Sequence, residues 1–212
     1  MKCILCESHI KHTFEHPTLK TIFHQCETCG VIFKDASYFP SLDMEKARYE
    51  EHNNDINQEG YVQFLTRFID EGIKPFLKEG TLLDFGSGPN PVLAVLLRRL
   101  GYKISCYDPF YHQKLNEDTS YDMITATEVV EHFHDPMKEF KWIDEHVKQK
   151  GYISLMTLFY PKENAKFLNW YYQRDLSHVV FYSPETWMWL AHTLGWEIIY
   201  SDDYRIVVFK KN

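Results

Sequence analysis

The 212-residue chain reads as an α/β protein: a mostly parallel sheet with helices on both faces, plus a small N-terminal cysteine-bound unit. Three observations predict this. Residues 81–91, TLLDFGSGPNP, run from a short apolar stretch through an acid and a glycine turn into an apolar helical pattern at Val92, Leu93, Val95, Leu96 and Leu97. Further apolar runs, KISCY, YDMITA and YISLMTLF, are separated by helical or polar segments. Ahead of them stand two C-x2-C pairs, Cys3/Cys6 and Cys26/Cys29, with nineteen residues between.

Composition bounds the rest. A 44% hydrophobic content and 16% aromatics supply one full core and a small appendage. A net charge of −7 gives no global attraction to nucleic acid or an anionic membrane. No apolar run is long enough to span a bilayer, and MKCILCESH lacks a signal-peptide core, so a cytoplasmic, soluble protein is expected.

The cysteines predict a zinc ribbon over residues 1–40. Tetrahedral zinc takes four thiolates, each C-x-x-C turn presents two, and no coordination position stays open, so the metal is structural. A disulfide pair does not suit a cytosolic chain, and a redox motif needs only one pair. With four cysteines present, His9, His12, His16 and His24 read as surface residues. Residues 21–24 and 31–33 read as ribbon strands, and Cys106 as a buried apolar residue of a later strand.

Residues 35–40 read as a linker into a helical cover at 41–78, the start of a second domain at 41–212. One charged helix covers 42 to about 52. A second carries Tyr61, Phe64, Leu65, Phe68 and Ile69 on one face. His52 and Asn53 lie in a polar cluster and read as exposed, with a pocket-facing role as the alternative.

In the organising turn, Gly86-Ser87-Gly88 permits close backbone approach to a ligand. Asp84 repels a diphosphate and attracts an amine, and Pro91 replaces the third glycine of the dinucleotide fingerprint. Asp108 ends the next strand twenty residues after the turn, where an acid accepts hydrogen bonds from ribose hydroxyls. Pro109 and Phe110 follow, placed to pack on a base. The segment from 110 to 121 is short, leaving Asn116, Glu117 and Asp118 as candidate base contacts.

Hydrophobics followed by D-x-G-x-G resemble motif I of the class I S-adenosylmethionine-dependent methyltransferases, with Pro89-Asn90 where that family has a further glycine. YDMITATEVVEHFHDP resembles the post-strand segment of the ubiquinone-pathway O-methyltransferase group, and the block around His178 resembles its D-x-x-H-h-x-F-[FY]-S. The zinc ribbon joined to such a core resembles a bacterial branch of this group. The resemblance implies a Rossmann-like fold and S-adenosylmethionine as cofactor. Asp84 would hold the methionine amine, Thr127 and Glu128 would shape that end of the pocket, and His178 or His132 would act as base. In small-RNA 2′-O-methyltransferases a matching Glu-x-x-Glu-His cluster with a later histidine binds a divalent metal. That implies a possible second metal at Glu128, Glu131, His132 and His178, the first three sharing one face if helical.

Asp135-Pro136 starts a helix that Gly151 closes, and 152–159 is the next strand. The aromatic stretch 161–172 is placed to cover a substrate. Ser183-Pro184 opens a last helix closed by Gly195, before two antiparallel strands. The expected function is methyl transfer to an unidentified acceptor, a small molecule rather than nucleic acid, by in-line displacement with a histidine base. One alternative is an RNA or protein methyltransferase gripping its substrate with the ribbon, which Lys11, Lys20 and Lys34 on one face would favour. The others are a non-catalytic zinc- and adenosyl-binding protein and a nicotinamide oxidoreductase, the latter disfavoured by Asp84.

Overall fold

The computed structural model describes residues 1–51, 54–115 and 119–212. The cysteine-bearing segment forms antiparallel strands β1 (His12–Glu15), β2 (Ile22–Gln25) and β3 (Ile32–Lys34). Two histidines expected on its surface are buried instead. His24 sits between Thr13 Oγ1 and Asp35 Oδ2, each at 2.9 Å, and His16 donates from Nε2 to the Leu168 carbonyl at 2.7 Å. An imidazole with both nitrogens satisfied is inexpensive to bury.

The cover consists of α1 (Leu42–Glu50), capped by the Ser41 side chain, and α2 (Glu59–Phe68), which runs into a π turn at Ile69–Ile73. The body follows as β4 (Thr81–Phe85), α3 (Val92–Arg99), β5 (Lys103–Tyr107), β6 (Tyr121–Thr127), α4 (Pro136–His146) and β7 (Val147–Met156). Then come α5 (Asn164–Asn169), β8 (Val180–Phe181), α6 (Pro184–Leu194), β9 (Trp196–Ser201) and β10 (Ile206–Lys211).

Among the described residues the main sheet has the order β5-β4-β6-β7-β10-β9. Its first four strands are parallel, and β10 is antiparallel to both neighbours. Period-two alternation assigns its side chains to two cores. Leu83, Phe85, Ile124 and Leu155 cluster with Phe140 of α4 and Trp187 of α6. Leu82, Met123 and Val208 cluster with Leu65 and Phe68 of α2 and Leu93 of α3. The expected α/β fold with helices on both faces is therefore present.

Gly151 does not close a helix. α4 ends at His146 and passes directly into β7, where Gly151 lies at a register shift against β6. A Cβ there would sit 2.8 Å from the Lys148 carbonyl, so the glycine marks a bulge rather than a helix stop. Cys106 is half-buried beside Arg98, not fully enclosed. β8 pairs with β3 of the ribbon, Ile32 opposite Phe181 and Phe33 opposite Val180, so ribbon and body share one sheet.

Candidate active site and zinc centre

The four cysteines converge. Cys3 and Cys29 Sγ lie 3.7 Å apart and Cys6 and Cys26 Sγ 3.4 Å apart. Sulfurs of a tetrahedral zinc site with Zn–S near 2.3 Å stand about 3.8 Å apart, so this donor set fits zinc. Lys11, Lys20 and Lys34 form no free basic face. Lys11 pairs with Glu27, Lys20 with Glu15, and Lys34 is buried with its ammonium 2.6 Å from the Asp175 carbonyl. Burial lowers the Lys34 pKa to about 8 against the opposing pull of Asp175.

A cavity of about 1050 Å³ opens where β4, β5 and β6 end. Asp84, Gly86, Ser87, Gly88, Asp108, Pro109, Thr127 and Glu128 all line it, so the expected cofactor residues are brought together. Gly86 and Gly88 take φ of +75° and +65°, and a Cβ on Gly86 would lie 2.4 Å from Val129 Cγ2. Gly86 and Ser87 both donate their N–H to the Tyr107 carbonyl, at 2.8 and 3.0 Å. Asp108 accepts N–H from Gly88 at 2.9 Å, Phe110 at 2.9 Å and Tyr111 at 3.1 Å.

Asp84 is 2% exposed, and its Oδ1 has no hydrogen-bond partner among the described residues. Burial, assisted by Asp108, raises its pKa to about 7, with Arg98 opposing. A buried acid with one oxygen unpartnered among the described residues fits a cationic amine. His52, Asn53, Asn116, Glu117 and Asp118 lie outside the described residues.

Beyond β6, Glu128 adopts φ +54°, held by its N–H on the Met156 carbonyl at 2.7 Å. That conformation costs a non-glycine residue about 1–2 kcal/mol and concentrates at functional turns. It also prevents Glu128, Glu131 and His132 from sharing one helical face, since only Val130–His132 is helical, as a 3-10 turn. What joins the two acids is Tyr172. Its hydroxyl lies 3.0 Å from Glu128 Oε2, closer still to Glu131 Oε1, and 3.1 Å from Thr157 Oγ1. Burial raises the pKa of both acids, and Glu128 raises Glu131 further. Glu128 Oε1 and Glu131 Oε2 are buried without hydrogen-bond partners among the described residues.

His132 Nδ1 meets the Ser177 carbonyl at 2.9 Å, and His178 Nδ1 meets the Tyr172 carbonyl at 2.8 Å. A carbonyl only accepts, so both rings are protonated at Nδ1 and, when neutral, carry their lone pair on Nε2. The rings meet edge to face at 4.9 Å. Burial and then His178 hold the His132 pKa down at about 3. Ligand atoms of Glu131, His132 and His178 lie within 4.8 Å of one another, a set able to hold a cation.

Sequence reasoning placed Tyr172 only within a covering segment and did not connect it to the acids. It also missed the ion pair between Arg48 and Asp175 at 2.7 Å, which ties the cover to the His178 loop.

A methyltransferase domain family model matches residues 54–201. Among solved structures, the plantazolicin methyltransferase BpumL, in complex with a monoazolic desmethylPZN analog and SAH, has 13% identity and a TM-score of 0.53 over 80% of this chain and 91% of that one. An O-methyltransferase family protein from Burkholderia thailandensis has 12% identity and a TM-score of 0.52 over 79% and 63%. The mitomycin 7-O-methyltransferase MmcR has 12% identity and a TM-score of 0.50 over 71% and 52%. At these identities the likeness to solved structures is one of fold. A sequence comparison with curated proteins gives no match. The family match covers most of the chain, including the glycine turn, Asp108 and the Glu128–His132 segment: the chain belongs to the methyltransferase domain family.

Proposed function

We propose that this chain methylates a neutral or cationic small molecule at a nucleophile that gives its proton to His178. The observation that carries this reading is the pair of imidazoles, His132 and His178, beside the cofactor cavity with lone pairs on Nε2. When bound, S-adenosylmethionine supplies an electrophilic methyl group on a sulfonium. Asp84 would hold its amine, the 86–88 turn its backbone-facing side, Asp108 its ribose, and Pro109 and Phe110 its base. Thr127 and Glu128 would flank its methionine end.

We assign the proton to His178 rather than His132, because burial and then the neighbouring His178 disfavour a charge on the His132 ring. His132 orients the acceptor as a hydrogen-bond acceptor. The carboxylates lining the cavity, Glu45, Asp84, Asp108, Glu128, Asp135, Glu139 and Asp175, outnumber its cations Arg48, Lys138 and Arg174, a balance that disfavours phosphates and nucleic acid. The small-molecule substrates in the names of the plantazolicin and mitomycin enzymes are compatible with this reading.

A second reading rests on one observation, the convergence of Glu131, His132 and His178. These residues would hold a divalent cation beside Glu128, and its chemistry would be to lower the pKa of an acceptor hydroxyl. Residues 1–40 serve in our reading as a structural zinc ribbon on a methyltransferase domain of 41–212, with 41–78 as its cover. Cysteines kept as zinc-binding thiolates rather than disulfides suit a reducing compartment, and on that ground we place the protein in the cytoplasm. No helix among the described residues is long and apolar enough to cross a membrane.

The test is release of S-adenosylhomocysteine across a panel of small hydroxylated and amine acceptors, with and without Mn²⁺. His178→Ala should lose about 10²-fold or more in turnover while S-adenosylhomocysteine affinity stays within about twofold. Retained turnover rejects the base. Turnover that requires Mn²⁺ selects the second reading.

A further inference from the structure

We infer that the zinc ribbon is the positioning clamp of the loop that carries His178, and that Lys34 is its principal contact. The inference rests on the reading of His178 as an acceptor-side group, but its geometry stands independently.

The turn from Asp175 to His178 is held at one residue from two sides. The Asp175 carbonyl accepts the Lys34 ammonium at 2.6 Å and the His178 N–H at 3.3 Å. The Asp175 carboxylate accepts Arg48 Nε at 3.0 Å and Nη2 at 2.7 Å, both from α1, and the Ser177 N–H and hydroxyl at 3.0 and 2.7 Å. These hydrogen bonds hold the Asp175 pKa well below the usual carboxylate range against its burial. Ribbon, cover and catalytic loop therefore meet at Asp175.

The ribbon supports the same loop along its backbone. Lys34 N–H donates to the Val179 carbonyl at 2.9 Å, Val179 N–H donates to the Glu131 carbonyl at 2.8 Å, and β8 continues the β3 edge. Phe23 and Ile32 of the ribbon pack with Phe167, Tyr172 and Phe181. The segment ending at Tyr172, whose carbonyl fixes the His178 tautomer, thus packs on the ribbon too. A lysine buried to 4% exposure, with one carbonyl as its ammonium's hydrogen-bond partner among the described residues, is a costly way to fill a sheet edge. It is an effective way to fix where that carbonyl points. Zinc, by holding Cys26 and Cys29 just before β3, fixes where Lys34 starts.

The experiment uses the full-length, zinc-loaded protein and its Lys34→Met variant, which keeps the apolar stem and removes the donor. Histidine-ring ¹⁵N spectra read the tautomer of His178, and amide hydrogen exchange reads residues 177–179. In the native protein His178 is protonated at Nδ1. In Lys34→Met we expect a mixed tautomer and about tenfold faster exchange at 177–179. Amides of β4 and β6 should not change, and S-adenosylhomocysteine affinity should stay within about twofold.

An unchanged His178 ring with unchanged exchange at 177–179 overturns the inference. So does faster exchange spread evenly over ribbon and body, the mark of a purely structural lysine. If Lys34→Met does not fold, Lys34→Arg, which keeps the charge and displaces the donor from the Asp175 carbonyl, reads the same loop with the same outcomes. Failure of His178→Ala to reduce turnover would refute the base and leave this test standing.

Discussion

The backbone N–H of Gly88 donates to Asp108 Oδ2 at 2.9 Å, tying the glycine turn after β4 to the residue that follows β5. The same carboxylate takes the amides of Phe110 and Tyr111, so three of its roughly four acceptor positions are used within the chain. Asp84, on the adjoining strand, has a buried Oδ1 with no partner among the described residues. One acid builds the cavity wall and offers little more than one acceptor position to a ribose. The other is left for a cation.

Stability should respond to Asp84 with an inverted pH dependence. Its folded pKa of about 7 lies above the unfolded value near 3.9, so its contribution is full below pH 4 and is lost as pH rises through 7. His132 acts oppositely between its folded value of about 3 and its unfolded value near 6.5, and the last half of its unfolded-state titration adds back about 0.4 kcal/mol between pH 6.5 and 8 in native and variant protein alike. From pH 6.5 to 8, Asp84 should cost the ligand-free protein about 0.8 kcal/mol, or roughly 2–3 °C in Tm. Buried Glu128 and Glu131 shift in the same direction. Thermal melts across this window should flatten in Asp84→Asn, and an equal slope in that variant would contradict the assignment.

Gly86 should tolerate no side chain. With φ at +75° and Val129 Cγ2 2.4 Å from an added Cβ, Gly86→Ala combines backbone strain with overpacking, about 3 kcal/mol in all. Val129→Ala in the same chain should recover the packing part but not the strain. Urea denaturation of the four proteins checks this, and strictly additive losses would show that the contact with Val129 is not the cause.

Metal content should be one zinc per chain, lost in Cys26→Ser. Because β8 extends the ribbon sheet through β3, loss of zinc should also loosen Val180 and Phe181. Mass spectrometry of the reduced protein and amide exchange at these two residues measure both. A reduced, folded protein without zinc would refute the site.

Local patterns carried the sequence reading where the chemistry is local. Asp84, the glycine turn and Asp108 lie within 25 residues, and each cysteine pair is a single turn, so spacing alone reports them. Contacts between distant segments were not legible. Lys34 and Asp175 are 141 residues apart, and nothing marks Lys34 as different from the paired surface lysines Lys11 and Lys20. The two-residue strand β8 is too short for any periodicity. Tyr172 reaches Glu128 and Glu131 across more than forty residues, from a stretch that reads only as aromatic. Gly151 misled because a glycine after a helical pattern signals a stop as readily as a bulge.

Calorimetric titration of the purified chain with S-adenosylhomocysteine, beside NADH and the Asp108→Ala variant, tests the central claim most directly. The account predicts saturable binding of S-adenosylhomocysteine, none of NADH, and a loss in Asp108→Ala of about 30-fold or more, equivalent to about 2 kcal/mol. No binding of S-adenosylhomocysteine, or an unchanged Kd in Asp108→Ala, would contradict it.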